Sequence, residues 1–112
     1  MQVVPKDAEE STEAVEGVQL SLLAGAAEMN VQHFFIEPGA EVPEHSHDNE
    51  QTGYITQGTL TFFVDGEELD VSAGDSYAIP GDEAHAAENR GEVPVEGVDI
   101  FSPPRENPDW KD

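Results

Sequence analysis

The hydrophobic residues of this chain occur in short runs separated by turn-forming residues. Several runs are rich in β-branched and aromatic residues, which favour an extended backbone: VQLSLLA, MNVQHFFIE, TGYITQ, TLTFFV and DSYAIP. Clusters of Gly, Pro, Asp and Asn such as EPGAEVP, SAGD and IPGDE stand between them. Asp65-Gly66, between TLTFFV and EELDV, is typical of a tight hairpin turn. The pattern predicts an all-β fold, an antiparallel sandwich or small barrel.

A length of 112 residues suffices for one domain. Residues 1–16, MQVVPKDAEESTEAVE, are predicted to be an acidic N-terminal arm, or a short strand that pairs only on assembly. Residues 17–112 are predicted to form a single β-domain.

The composition narrows the chemistry and the partners. There is no cysteine, so a metal site must use nitrogen and oxygen ligands. The 25 acidic against four basic residues give a net charge of -21, which excludes nucleic acid and anionic membranes as partners. No apolar run is long enough to span a bilayer and no signal peptide is visible, so a soluble cytoplasmic protein is expected. The near absence of lysine predicts halophilic adaptation, because concentrated salt screens self-repulsion; an ordinary acidic protein is the alternative.

The stretch HSHDNEQ brings two histidines close to a glutamine. On a strand, His45 and His47 point to the same face, and the Asp-Asn turn that follows lets Gln51 come back toward them. His85 lies far along the chain, after a Pro-Gly-Asp turn. Three imidazoles and an amide oxygen suit one divalent ion such as Mn, Fe, Co, Ni, Cu or Zn. The alternative is a surface turn that carries polar residues.

The spacing of these residues resembles the two sequence motifs of the cupin family. The first motif, G-x5-H-x-H-x3,4-E-x6-G, is matched by Gly39, His45, His47, Gln51 and Gly58. The second, G-x5-P-x-G-x2-H-x3-N, is matched by Gly74, Pro80, His85 and Asn89. The resemblance covers residues 39–89 and implies a cupin double-stranded β-helix, a jelly-roll-like barrel with the metal inside.

The chain departs from these motifs at two positions. Gln51 stands where the family usually has glutamate, so the site lacks an anionic ligand, which favours an anionic substrate. Asp82 stands where the second motif has glycine. Glu50 is an alternative fourth ligand, but its strand parity is opposite to that of Gln51 and predicts an outward side chain.

The C-terminal stretch VDIFSPPREN carries three further candidates. Asp99 interrupts the apolar strand GVDIF and shares a face with Phe101. Two prolines then fix an extended exit that positions Arg105, whose planar guanidinium suits a carboxylate.

This tail, with HSHDNEQ and GDSYAIP, resembles the cupins of pectin and alginate breakdown. That resemblance implies an enzyme of carbohydrate metabolism that converts 4,5-unsaturated uronates to linear 4-deoxy-5-keto-uronates. It implies Asp99 and Arg105 as catalytic residues, and Phe101 and Arg105 as contacts of a small anionic substrate. It implies one divalent metal ion on His45, His47, Gln51 and His85.

Each assignment has an alternative. Asp99 is a structural partner of a ligand histidine in one alternative, Phe101 is plain core in another, and Arg105 pairs with Glu106 or another surface acid in a third. The competing functions are a cupin dioxygenase acting on a small organic substrate and a non-catalytic module that binds a small ligand or metal.

The remaining aromatic residues receive no chemical role. His33 is predicted to be a packed or supporting histidine. Tyr54, Phe63 and Tyr77 are predicted to pack the barrel interior or its rim, and Trp110 to be a surface or interface anchor. A homodimer is expected because small barrels of this type have sheet edges to cover, and VQLSLLA is a candidate to cover one.

Overall fold

The computed structural model describes residues 1–8, 11–105 and 108, which form ten strands and one short 3-10 helix, Lys6–Ala8. Glu106 and Trp110 lie outside the described residues. No helix in this part of the chain is long and apolar enough to cross a membrane. The strands are β1 Thr12–Val15, β2 Val18–Gly25, β3 Asn30–Ile36, β4 Glu41–His45, β5 Glu50–Gln57, β6 Thr59–Val64, β7 Glu67–Ser72, β8 Ser76–Ile79, β9 His85–Glu88 and β10 Val95–Ser102.

The ten strands form two antiparallel sheets, and the all-β prediction is confirmed. The larger sheet has the order β1-β2-β3-β10-β5-β8, and the smaller has the order β4-β9-β6-β7. Every run predicted as a strand from its hydrophobic residues falls on a strand. The sequence pattern missed β4 and β9, because EVPEH and HAAE carry too few apolar residues to stand out.

The core lies between the two sheets and is built by alternation along the strands. β3 alternates between buried and half-buried positions over its whole length, and β5 alternates between buried and exposed positions over most of its length. Strands of both sheets and the loop after β3 contribute to one cluster of buried apolar side chains: Val18, Phe34, Ile36, Ala40, Ile55, Leu60, Phe62, Ile79, Ala87 and Val95.

The hairpin between β6 and β7 forms at Asp65-Gly66, as predicted. Both residues have positive φ, 51° and 77°, which is the twist a two-residue hairpin needs. Val64 and Glu67 pair directly across the turn.

The N-terminal segment is partly built into the larger sheet. Residues Thr12–Val15 of the predicted acidic arm form β1, which pairs with β2 of the same chain, so this strand needs no second copy to pair. The run VQLSLLA forms β2, which lies between β1 and β3. The expectation that this run covers a free sheet edge is therefore wrong, and β1 is the edge strand. The reason is that β1 and β2 are joined by a two-residue turn and pair locally.

Asn89, the last residue of the second motif, holds the connection between the sheets. Its side chain is fully buried, and its Nδ2 donates to the carbonyl oxygens of Ile36 at 3.0 Å and Val93 at 2.9 Å. Its Oδ1 accepts from the backbone N–H of Gly91 at 3.0 Å. Three hydrogen bonds of one buried amide therefore tie β3 to the loop before β10.

We predict that Asn89→Ala lowers the free energy of unfolding by about 2–4 kcal/mol, because buried carbonyl and N–H groups lose their partners. Chemical denaturation measures this loss. Thr56→Ala, which removes one exposed hydrogen bond to the Glu96 carbonyl, is the matched control and should change stability by less than about 0.5 kcal/mol. Equal effects of the two substitutions would contradict the structural role of Asn89.

Candidate metal centre

Three histidines meet where β4 and β9 lie side by side. His45 ends β4, His85 begins β9, and the two are register partners. The His-x-His spacing predicts that His47 lies on the same strand as His45. In the structure, His47 lies two residues beyond the end of β4. One nitrogen from each imidazole lies within 4.8 Å of the other two, so the sequence prediction that these three residues come together is met.

Each of the three imidazoles is oriented by a backbone carbonyl close to it in the chain. The Nδ1–H of His45 donates to the Pro43 carbonyl at 2.9 Å, that of His85 to the Glu83 carbonyl at 2.9 Å, and that of His47 to the Asn49 carbonyl at 3.1 Å. Since a carbonyl only accepts, these contacts place the proton on Nδ1 and leave the Nε2 lone pair available.

The Nε2 atoms lack the partners that a buried nitrogen normally has. His85 Nε2 is buried without a hydrogen-bond partner among the described residues. His47 Nε2 lies 3.0 Å from Gln51 Oε1, so two acceptors face each other. Burial and the neighbouring charge of Arg105 lower the pKa of His47, and burial and the neighbouring His45 and His47 lower the pKa of His85, which keeps both imidazoles neutral. This arrangement fits a divalent ion bound by three Nε2 atoms and one amide oxygen.

The fourth candidate ligand follows the predicted strand parity. Gln51 is buried and faces the histidines, whereas Glu50 is exposed.

The turn before His85 explains the departure from the second motif at Asp82. That residue adopts φ 68°, the left-handed conformation that glycine provides in the motif, and its backbone N–H donates to the His47 carbonyl at 2.7 Å. Asp82 therefore preserves the turn and connects it to the histidine loop.

Asp99 lies beside the histidine cluster, on β10. It is 6% exposed, and the Tyr77 hydroxyl and the Gln51 amide both donate to its carboxylate. Burial raises the pKa of Asp99 from 3.8 to about 6, although these two hydrogen bonds and Arg105 act in the opposite direction. Burial and the Asp99 charge also raise the pKa of Tyr77, so Tyr77 stays a hydrogen-bond donor.

A glycine between Tyr77 and Asp99 makes their contact possible. Gly53 pairs with Asp99 on one side and with Tyr77 on the other, so the two side chains lie on strands that flank it. A Cβ at Gly53 would lie 2.1 Å from Cζ of Tyr77. The tyrosine ring therefore crosses the sheet directly over Gly53, which no larger residue would allow.

Arg105 reaches the same cavity from the C-terminal segment. Its backbone N–H donates to Asn30 Oδ1 at 2.6 Å, and its guanidinium lies 5.6 Å from the ring centroid of Phe101. Phe101 is 1% exposed and also packs edge-on against His47, with ring centroids 5.5 Å apart. Phe101 therefore supports His47 and Arg105 from behind and offers almost no surface to a substrate.

These side chains surround a cavity of about 330 Å³ between the two sheets. Its polar wall consists of Gln32, His45, Gln51, Tyr77, His85, Asp99 and Arg105, and its apolar floor includes Val18, Phe34, Leu60 and Phe62. The volume suits one small molecule rather than a polymer chain.

Two expectations about single residues need revision. Tyr77, expected to be packing only, is a hydrogen-bond partner of Asp99. Tyr54, expected in the barrel interior or at its rim, is 47% exposed on the outer face of β5. His33 is a supporting residue, but away from this cavity: its Nε2 lies 2.7 Å from Glu96 on the other face of the larger sheet. Gln32 and Tyr77 line the cavity, but the sequence indicated only that each lies on a strand, β3 and β8.

A family model and known proteins both match the chain. The cupin domain model matches residues 32–101, more than half of the chain. The H2HPP isomerase of Bacillus subtilis is 39% identical over 69 residues, 62% of this chain and 29% of that protein. The tetracenomycin polyketide synthase protein TcmJ of Streptomyces glaucescens is 32% identical over 80 residues, 70% of this chain and 54% of that protein. The chain thus spans about half, or less, of the length of these curated relatives.

Among solved structures, KdgF from Halomonas sp. superposes with a TM-score of 0.86 at 24% identity, over 96% of this chain and 97% of that one. At this identity the likeness establishes the fold. The family model, the two sheets and the histidine cluster agree, and the chain belongs to the cupin family.

Proposed function

We propose that this cupin is a metal-dependent enzyme that opens the ring of 4,5-unsaturated uronates to give linear 4-deoxy-5-keto-uronates. The observation that carries the proposal is a buried carboxylic acid in the histidine-lined cavity. Asp99, with its pKa raised to about 6, exchanges protons near neutral pH, as a general acid and base must. Three of the candidate metal ligands, His45, Gln51 and His85, line the same cavity as Asp99. The positively charged Arg105 lines it too.

The substrate is held by charge. Arg105 binds the uronate carboxylate, because its guanidinium offers paired N–H donors in a cavity of a strongly acidic chain. His45, His47, Gln51 and His85 would hold a divalent ion, which supplies Lewis-acid polarisation of a substrate oxygen when bound. Because these four ligands are neutral, the ion keeps its full charge toward an anion.

The reaction is an isomerisation and needs no oxidant. The anomeric hydroxyl loses a proton, the bond between C1 and the ring oxygen breaks to give an aldehyde, and the resulting enolate takes up a proton at C4 to become the 5-ketone. Asp99 is the group that accepts and returns the proton. Tyr77 holds the Asp99 carboxyl in place by donating to it, so Tyr77 is a positioning residue.

The apolar floor of the cavity favours a second candidate. Phe34, Leu60 and Phe62 suit a phenolic or diketone substrate, and the relative TcmJ is named for a polyketide synthase. A cupin dioxygenase would use such a substrate and a redox-active ion. Arg105 and the other side chains of the polar wall favour the sugar acid.

We predict that the purified chain, loaded in turn with Mn, Ni or Zn in molar KCl, accelerates the loss of the ultraviolet absorbance of a 4,5-unsaturated uronate. Asp99→Ala should lower kcat by about 10²–10⁴-fold, since it removes the proton-transfer group. His47→Ala should lower both metal content and rate.

Glu50→Gln is the control, because the exposed neighbour of Gln51 should be dispensable for metal and rate. Oxygen uptake with a diketone substrate is measured in parallel. No acceleration with any metal would reject the ring-opening proposal, and oxygen uptake in its place would favour the dioxygenase.

We predict that Asp99→Asn stabilises the metal-free protein at high pH. The folded-state pKa lies above the unfolded value of 3.8, so the folded chain holds the extra proton between pH 3.8 and about 6. Wild-type stability therefore falls as pH rises through that window, and at pH 8 the variant should be more stable by roughly 2–3 kcal/mol. The difference should vanish below about pH 4.

Denaturant titrations at both pH values measure this difference. Asp65→Asn at the exposed hairpin tip is the control and should show no comparable gain. A variant that is less stable than wild type at pH 8 would show that the Asp99 charge stabilises the fold.

We also propose a homodimer, halophilic adaptation and no nucleic-acid or membrane partner. The argument for a dimer is that β1 and β8 end the larger sheet and leave edge groups to cover. Light scattering in molar KCl should give twice the chain mass, and a monomer mass would reject the dimer.

A further inference from the structure

The inward face of β3 carries one polar residue that the mechanism does not use. Asn30, Gln32, Phe34 and Ile36 all point inward. The two apolar residues belong to the core, and Asn30 accepts the backbone N–H of Arg105. Gln32 is 4% exposed, yet it has no such explanation.

The side-chain oxygen of Gln32 is buried and unsatisfied. Its Oε1 has no hydrogen-bond partner among the residues that the structure describes. A buried acceptor without a donor costs stability, and such groups are rare unless they serve a function. Among the described residues, the other buried side-chain atom without a hydrogen-bond partner is Nε2 of His85. That nitrogen belongs to the candidate metal site.

Gln32 also sits next to the proposed proton-transfer group. It is the register partner of Asp99 on the adjacent strand, and both line the cavity. The donors already near Asp99 come from Tyr77 and Gln51 and are used by its carboxylate. Because Gln32 lines the cavity, a molecule bound there is a source of the donor that Oε1 lacks.

We propose that Gln32 determines substrate specificity by accepting a hydrogen bond from a hydroxyl group of the bound sugar acid. The inference rests on the proposed function, because it takes the carboxylate-bearing substrate as given and adds a hydroxyl on the side that faces β3. It selects a hydroxylated acid over a deoxygenated acid of the same size, because the latter leaves Oε1 buried without a donor. A diketone substrate that carries no hydroxyl is disfavoured for the same reason.

The test compares two carboxylates that differ in their hydroxyl groups. Galacturonate carries ring hydroxyls, and cyclohexanecarboxylate has none. Calorimetry measures the binding of each to the zinc-loaded wild-type protein and to Gln32→Leu, which keeps the size and removes the acceptor. We expect galacturonate to bind the variant about tenfold more weakly, and cyclohexanecarboxylate to bind both proteins equally.

Thermal unfolding of the metal-free proteins gives a second readout. Because the wild-type oxygen is unsatisfied, Gln32→Leu should melt at a higher temperature than wild type. Gln19→Leu is the matched control, because this half-buried glutamine lies on β2, outside the cavity, and its Nε2 donates to Glu13. This substitution should leave galacturonate binding unchanged and should not raise the melting temperature. Gln32→Met serves if the leucine variant does not fold.

The outcomes separate the two proposals. Unchanged galacturonate affinity in the variant, equal weakening of both carboxylates, or no galacturonate binding by wild type would each overturn the role of Gln32. A lower melting temperature with loss of both ligands would assign it a structural role and also overturn the proposal. Selective weakening supports Gln32 even if the unsaturated uronate is not opened, a result that would remove only the proposed reaction.

Discussion

The site depends on three short hydrogen-bonded contacts between imidazoles and backbone carbonyls. Each carbonyl lies two residues from its histidine, so the strand ends and loops that carry the histidines also fix their proton positions. The consequence is that the three Nε2 lone pairs converge inside the barrel with too few protein donors. Three neutral imidazoles held in this way form a group that could hold a metal ion, so the backbone contacts that build the fold also build the candidate metal site.

The same cavity shows how stability is given up for chemistry. Asp99 is buried where its charge is costly, and it stays there because Tyr77 and Gln51 donate to it. Gly53 gives up side-chain packing so that the tyrosine can cross the sheet. Gln32 gives up a hydrogen bond. At positions 32 and 99 an ordinary core residue would be more stable, and the side chains of Gln32 and Asp99 line the same cavity.

The C-terminal segment is fixed from three directions. Ser102 donates to the Glu28 carbonyl at 2.7 Å, Asn49 donates to the Pro103 carbonyl at 2.6 Å, and the backbone of Arg105 donates to Asn30. Asn49 also belongs to the loop whose carbonyl orients His47. The guanidinium and the histidine cluster are therefore positioned by one shared network, which explains how a residue beyond the last strand reaches the cavity.

The sequence by itself determined the strands with strong alternation, the Asp65-Gly66 hairpin and the association of His45, His47, Gln51 and His85. The strands and the hairpin follow from local patterns and turn chemistry. The association of His85 with the other three residues followed from the resemblance of their spacing to the cupin motifs. Only the tertiary structure decided what Tyr77 and Gln32 do. Both residues lie near Asp99 on other strands, far away in sequence: Tyr77 donates to its carboxylate, and Gln32 is its register partner. Such placements depend on register and burial, which no local pattern encodes.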